Sequence, residues 1–162
     1  MDIDSTRFGM FSVRDDLVLT FPDGLPGLPG EQYVLVAQDE GVPFYWLHSA
    51  EHADVAVPVT NPWLFFADYD VSVSDEEARM IGLDSPEEAE IYCVVRATAD
   101  LGECTVNLAG PVVIHRANRT GRQIINDAGG YSVRHRLFSE VELNEAKALA
   151  AGISVPVEAT AV

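Results

Sequence analysis

Tyr33-Val34-Leu35-Val36-Ala37 and Phe44-Tyr45-Trp46-Leu47, parted by Asp39-Glu40-Gly41, decide the fold class. Both runs are rich in β-branched and aromatic side chains, which suit a pleated, half-buried surface, and a short polar stretch with a glycine suits the turn between them. They read as an antiparallel hairpin. Working outward, the same pattern of short extended runs cut by turn residues recurs along the chain. Upstream, Leu17-Val18-Leu19-Thr20-Phe21 enters Phe21-Pro22-Asp23-Gly24-Leu25-Pro26-Gly27-Leu28-Pro29-Gly30, with three prolines and three glycines. That stretch is a loop of defined turns, because proline has no ladder donor and glycine takes positive φ at little cost. Leu25 and Leu28 are expected to pin it to the sheet behind.

Downstream, Ala53 to Thr60 reads as a strand whose Pro58 must lie at an edge or a bulge. Asn61-Pro62 turns the chain into Trp63-Leu64-Phe65-Phe66, read as a further short strand. Ser74-Asp75-Glu76-Glu77 is a helix start, since the hydroxyl and the Glu three residues on satisfy free backbone donors, and Gly82 is the stop. Ser85-Pro86 allows at most one more helical turn. Strand character returns at Ile91–Thr98, Cys104–Leu108, Pro111–His115 and Gln123–Asn126, and a helix is expected from Glu140 to Ala151. No strand–helix–strand alternation supports a parallel sheet. The expected fold is mainly β: a small antiparallel β-barrel-like single domain over 1–138, with one short internal helix, then a C-terminal helix and flexible tail over 139–162.

The 162 residues carry 26 Asp+Glu against 10 Lys+Arg, a net charge of −16. Such a field repels nucleic acid, whose binding requires phosphates to be neutralised, and it attracts basic proteins. The charge is uneven. Between 116 and 136, Arg116, Arg119, Arg122, Arg134 and Arg136 face Asp127 alone, and pairing with the chain's own carboxylates is the favoured reading of this island. No run is long and apolar enough for a membrane helix, and the start Met1-Asp2-Ile3-Asp4 does not read as a signal peptide, so a cytoplasmic protein is expected.

The chemistry-bearing residues do not assemble. The glycine-proline loop lacks the backbone N–H groups a phosphate needs, and there is no G-x-S-x-G elbow. His48 and His52 lie four apart on what reads as a strand end and turn, which loses a shared metal geometry; they read as surface histidines near Glu51 and Asp54. Cys93 and Cys104 flank a hairpin turn too unevenly for a disulfide and read as buried thiols. No catalytic residue, metal or cofactor is expected. The unusual feature is six aromatics in Phe44-Tyr45-Trp46 and Trp63-Leu64-Phe65-Phe66, where strand alternation leaves room for a solvent-facing anchor for a partner.

Five segments in order carry a likeness: Phe21–Gly27; Pro43-Phe44-Tyr45-Trp46-Leu47-His48-Ser49; Asn61-Pro62-Trp63-Leu64-Phe65-Phe66-Ala67-Asp68-Tyr69; Thr105–Ile114; and Gly121-Arg122-Gln123. Together, over residues 1–137, the chain resembles the FliW family of flagellar assembly factors. The resemblance implies a β-barrel-like, non-catalytic cytoplasmic protein that binds newly made flagellin. It implies an alternative partner as well, the translational repressor CsrA, and a monomer when free. Tyr45, Trp46, Asn61, Trp63 and Asn107 lie in the matching segments and are the candidate partner-binding residues. A small β-barrel that binds an unknown ligand is the competing reading, and direct RNA binding through the arginine island a third.

Overall fold

A computed structural model describes residues 1–37, 43–139 and 142–144. The strands are β1 (Asp2–Ile3), β2 (Phe11–Ser12), β3 (Leu19–Thr20), β4 (Gln32–Ala37), β5 (Phe44–Ser49), β6 (Ala56–Thr60), β7 (Ala89–Arg96), β8 (Thr105–Val106), β9 (Val112–His115), β10 (Gly121–Gln123) and β11 (His135–Arg136). The class is mainly β, and every strand ladder is antiparallel. The main sheet runs β10-β9-β7-β6-β5-β4-β3, with β8 and β11 added beside the far half of β7. Its two ends meet at a parallel bridge between Thr20 and Thr120, where the Thr20 N–H donates to the Arg119 carbonyl at 2.9 Å. A bridge is not a ladder, so the sheet curls like a barrel without closing as one.

The central hairpin forms as its side chains require: β4 and β5 pair from Tyr33↔Ser49 to Ala37↔Tyr45. Its Asp39-Glu40-Gly41 turn lies outside the described residues. Pro58 faces Trp46 on β5, and β6 reaches β7 only through Val59 and Thr60, so the proline sits where no second ladder needs its missing N–H. In the glycine-proline loop, Gly24, Gly27 and Gly30 all hold φ between 70° and 78°, as the turns demand. Leu25 is buried there and bridges to Leu28, and Phe21 meets Tyr33 edge to face at 5.8 Å.

Helix α1 (Asp75–Met80) starts as its sequence dictates, with the Ser74 hydroxyl accepting from the Glu77 N–H, and Gly82 follows at φ 74°. Pro86–Glu88 adds a 3-10 turn. Several expectations are corrected. The strand expected over Gln123–Asn126 is Gly121–Gln123, and that expected over Cys104–Leu108 is only Thr105–Val106. Trp63–Phe66 is not a strand: Pro62–Leu64 is a 3-10 turn, because the Asn61 side chain caps it and Pro62 supplies its first φ. Leu17 closes another 3-10 turn, Asp15–Leu17, and does not open a strand. His48 is not on the surface; it is fully buried, with Nε2 2.8 Å from the Ser5 hydroxyl and Nδ1 2.6 Å from the Ser49 carbonyl. Of the expected C-terminal helix only 142–144 are described. They are helical, and Ser139 caps them by accepting from the Glu142 N–H. Glu140, Val141 and everything from Glu145 onward, the expected tail included, lie outside the described residues.

Candidate partner-docking surface

The segment from Asn61 to Tyr69 is locked by polar groups at both ends. Asn61 Oδ1 accepts from the Trp63 N–H at 3.0 Å, and the indole Nε1 of Trp63 donates to the Tyr69 carbonyl at 2.9 Å. The Tyr69 hydroxyl donates to the Leu108 carbonyl at 2.7 Å and accepts from Asn126 Nδ2 at 3.2 Å. Asn126, itself buried, also donates to the Asp70 carbonyl at 2.9 Å, while its Oδ1 accepts from the N–H groups of Ser72 (3.0 Å) and Ala128 (3.1 Å). The Asp70 N–H donates in turn to the Tyr131 hydroxyl. Burial raises the Tyr69 hydroxyl far above the ordinary tyrosine range, so it stays a neutral donor.

On this frame stands a row of rings. Trp63 tilts against Tyr69 at 5.6 Å, Tyr69 meets Tyr131 at 4.8 Å, and Phe66 lies 4.9 Å from His135. Phe65 stacks on Phe44 at 5.8 Å and touches Phe138. The inner rings are covered, but Trp63 keeps 39% and Leu64 58% of its surface in solvent. Beside them, Phe66, Asp68, Tyr69, Tyr131 and His135 enclose a hollow of about 270 Å³. Arg134 and Arg136, the neighbours of His135, are exposed and make no ion pair among the described residues. This is an apolar shelf with a basic flank.

The candidate residues are not gathered into one place. Asn61 and Trp63 share the shelf. Tyr45 and Trp46 are consecutive on β5 and face opposite ways: Tyr45 packs edge to face on Tyr92, while Trp46 lies beneath the Arg7 guanidinium at 3.9 Å and near Phe8. Asn107 follows β8, outside a strand, and its Oδ1 accepts from the Gly110 N–H at 2.8 Å. It borders a separate cavity of about 250 Å³ under Leu25, Pro26 and Leu28.

Sequence reasoning passed over Asn126, although a polar residue closing the apolar pair Ile124-Ile125 was the signal available. Three arginines of the basic island do pair internally: Arg116 and Arg119 lie 3.6 and 3.7 Å from the Glu90 carboxylate, and Arg122 meets Asp23. Cys93 and Cys104 are free and buried. Among the described residues no three His, Cys, Asp or Glu side chains converge on a possible metal position, and no helix is long and apolar enough to cross a membrane.

Comparison with known proteins accounts for this architecture. The family model described as "FliW protein" matches residues 2–137. The flagellar assembly factor FliW of Desulfitobacterium hafniense (strain Y51) is 37% identical over 146 residues, covering 90% of this chain and 96% of the relative. That of Alkaliphilus metalliredigens is 31% identical over 144 residues, covering 88% and 89%. A crystal structure of the flagellar assembly factor FliW superposes with a TM-score of 0.79 at 25% identity, covering 86% of this chain and 99% of its own. The chain belongs to the FliW family.

Proposed function

We propose that this chain is a flagellar assembly factor that works by binding alone. It holds newly made flagellin in the cytoplasm and, when flagellin is scarce, holds the translational repressor CsrA in its place. Exchange of partners then relieves repression of flagellin translation. The observation that supports a binding role most directly is the exposed Trp63–Leu64 pair, presented on a segment that Asn61, Tyr69 and Asn126 keep rigid. A rigid aromatic anchor loses little entropy on docking, which is where interface energy concentrates. On this reading Trp63 is the contact and Asn61 sets its turn. Tyr45, Trp46 and Asn107 serve by holding the strands and the Gly110 turn in register. Residues 1–138 act as the binding domain and the remainder as its tail.

Charge supports the second partner. An RNA-binding repressor presents basic surface, and a chain of net charge −16 docked beside it repels RNA without occupying the RNA site. Antagonism of RNA binding is then expected to weaken as salt shortens the field to about 8 Å. The deciding experiment retains partners from a motile-cell lysate on the tagged chain and on its Leu64→Ser and Trp63→Ala variants, with mass spectrometry of what is held. Flagellin and CsrA at near-stoichiometric yield on the parent, with flagellin lost on the variants, is the expected result. Retention of neither in motile cells overturns the proposal.

A further inference from the structure

A separate groove of about 490 Å³ lies between helix α1 and the first half of β7. Its floor is apolar: Val71, Val73 and Leu83 stand beside Ala89 and Ile91, which project from one face of β7. All five are only half-buried. The rim is acidic. Residues 71–91 hold seven Asp and Glu against Arg79 alone. Two of the seven are engaged, Glu88 with His115 and Glu90 with Arg116 and Arg119. Asp75, Glu76, Glu77, Asp84 and Glu87 make no ion pair among the described residues, and Asp75 and Asp84 line the groove itself.

We infer that this groove docks an amphipathic helix of a partner protein, its apolar stripe on Val71, Leu83 and Ile91 and its Lys and Arg residues over the Asp75–Asp84 rim. Two features select this occupant. Unpaired carboxylates along an apolar trough complement a cationic, amphipathic surface, and they disfavour an acidic or purely polar one. The floor is made of side chains standing on a sheet face and not of a free strand edge, which suits a helix laid into a groove over an added strand. The inference stands on the groove alone, because the residues that line it are not those that line the hollow beside Trp63.

The test titrates the full-length, isotope-labelled chain with three synthetic 18-residue probes. The first is a Leu/Lys peptide with leucines at helical spacing, the second its Leu/Glu counterpart, and the third a Lys/Ser peptide of equal charge without an apolar stripe. The Leu/Lys probe is expected to bind about tenfold or more tightly than either control, to weaken with salt, and to shift the amide signals of Val71, Val73, Leu83 and Ile91. The triple variant D75N/E76Q/D84N keeps the Ser74 cap and so the fold. It is expected to weaken the Leu/Lys probe about fivefold while leaving the amide spectrum of the free chain otherwise unchanged. Equal binding of Leu/Lys and Leu/Glu, or of Leu/Lys and Lys/Ser, overturns the inference. Shifts confined to Trp63 and Tyr131, or an unchanged affinity in the triple variant, overturn it too. Failure here leaves the Trp63 shelf untouched, and failure of the lysate experiment leaves this groove untouched.

Discussion

Leu19, Phe21, Tyr33, Leu47 and Val59 lie among strands tied by backbone ladders, whereas the cluster around Tyr69, Leu108 and Leu137 adds to its β7–β8–β11 ladders a set of side chains reaching backbone groups. The first follows from alternation: strand side chains project inward every second residue, and the ladders come with the strands. The second gathers rings from irregular segments around 65, 131 and 138, whose backbone groups have few ladder partners. Each such group still needs a partner once buried. Tyr69 and Asn126 supply them, and the aromatic shelf is their by-product. Ladders make a scaffold, while side-chain clamps make a presented surface.

The largest expected effect tests the ladder side. Phe21→Ala empties a fully buried site against Tyr33 and Gly121, and is expected to cost about 4 kcal/mol by denaturant titration. A loss well under half of that would mean the ladders hold the cluster without its filling. Asn126→Ala is expected to cost about 3 kcal/mol, since it strands the Ser72 and Ala128 donors and the Asp70 carbonyl together. Unlike Phe21→Ala, it should also loosen the Trp63 environment, visible as a red-shifted indole emission. If emission is unchanged, the shelf stands without its clamp and the contrast fails.

Alkali should separate the clusters more gently. Burial pushes the Cys93 thiol up to about 12 and the Tyr92 hydroxyl up to about 12, and it raises Tyr69 as well. The folded chain keeps these protons where the unfolded chain releases them, near pH 9 for the thiol and 10 for the phenols. Their contribution is therefore intact below about pH 9 and is lost as pH climbs through the folded values. Unfolding midpoints measured from pH 7 to 11 should fall only above 9, and Cys93→Ala should flatten the onset of that fall. The smallest effect on stability belongs to Leu64→Ser, expected within about 0.5 kcal/mol because the side chain already faces water. Partner retention, by contrast, should be largely lost.

The strands around the central hairpin were legible because their aromatic and β-branched runs suit a pleated surface and are bounded by turn residues. Helix α1 was legible because Ser74 and Glu77 form its cap. The 3-10 turn at Pro62 was not, since Trp63-Leu64-Phe65-Phe66 has strand composition and only the capping bond from Asn61 overrides it. His48 was misplaced because one histidine beside Glu51 and Asp54 reads as surface, and its buried partner Ser5 lies 43 residues away. Asn126 escaped for the same reason: its bonds to Tyr69 and Asp70 span 57 and 56 residues, which no local pattern encodes. The glycine-proline loop was readable because its geometry is local.

The bridge that joins Thr20 to Thr120, with Asp23 and Arg122 beside it, ties together positions about a hundred residues apart. On a ribosome adding roughly 5–20 residues per second, β3 therefore waits about 5–20 s between its own synthesis and that of the segment it meets. During that interval its outer edge is an open template for another chain. Two-residue strands offer little to copy, and Leu19–Thr20 is only that long. The brevity that makes the seam look weak in the finished protein is what protects the nascent one.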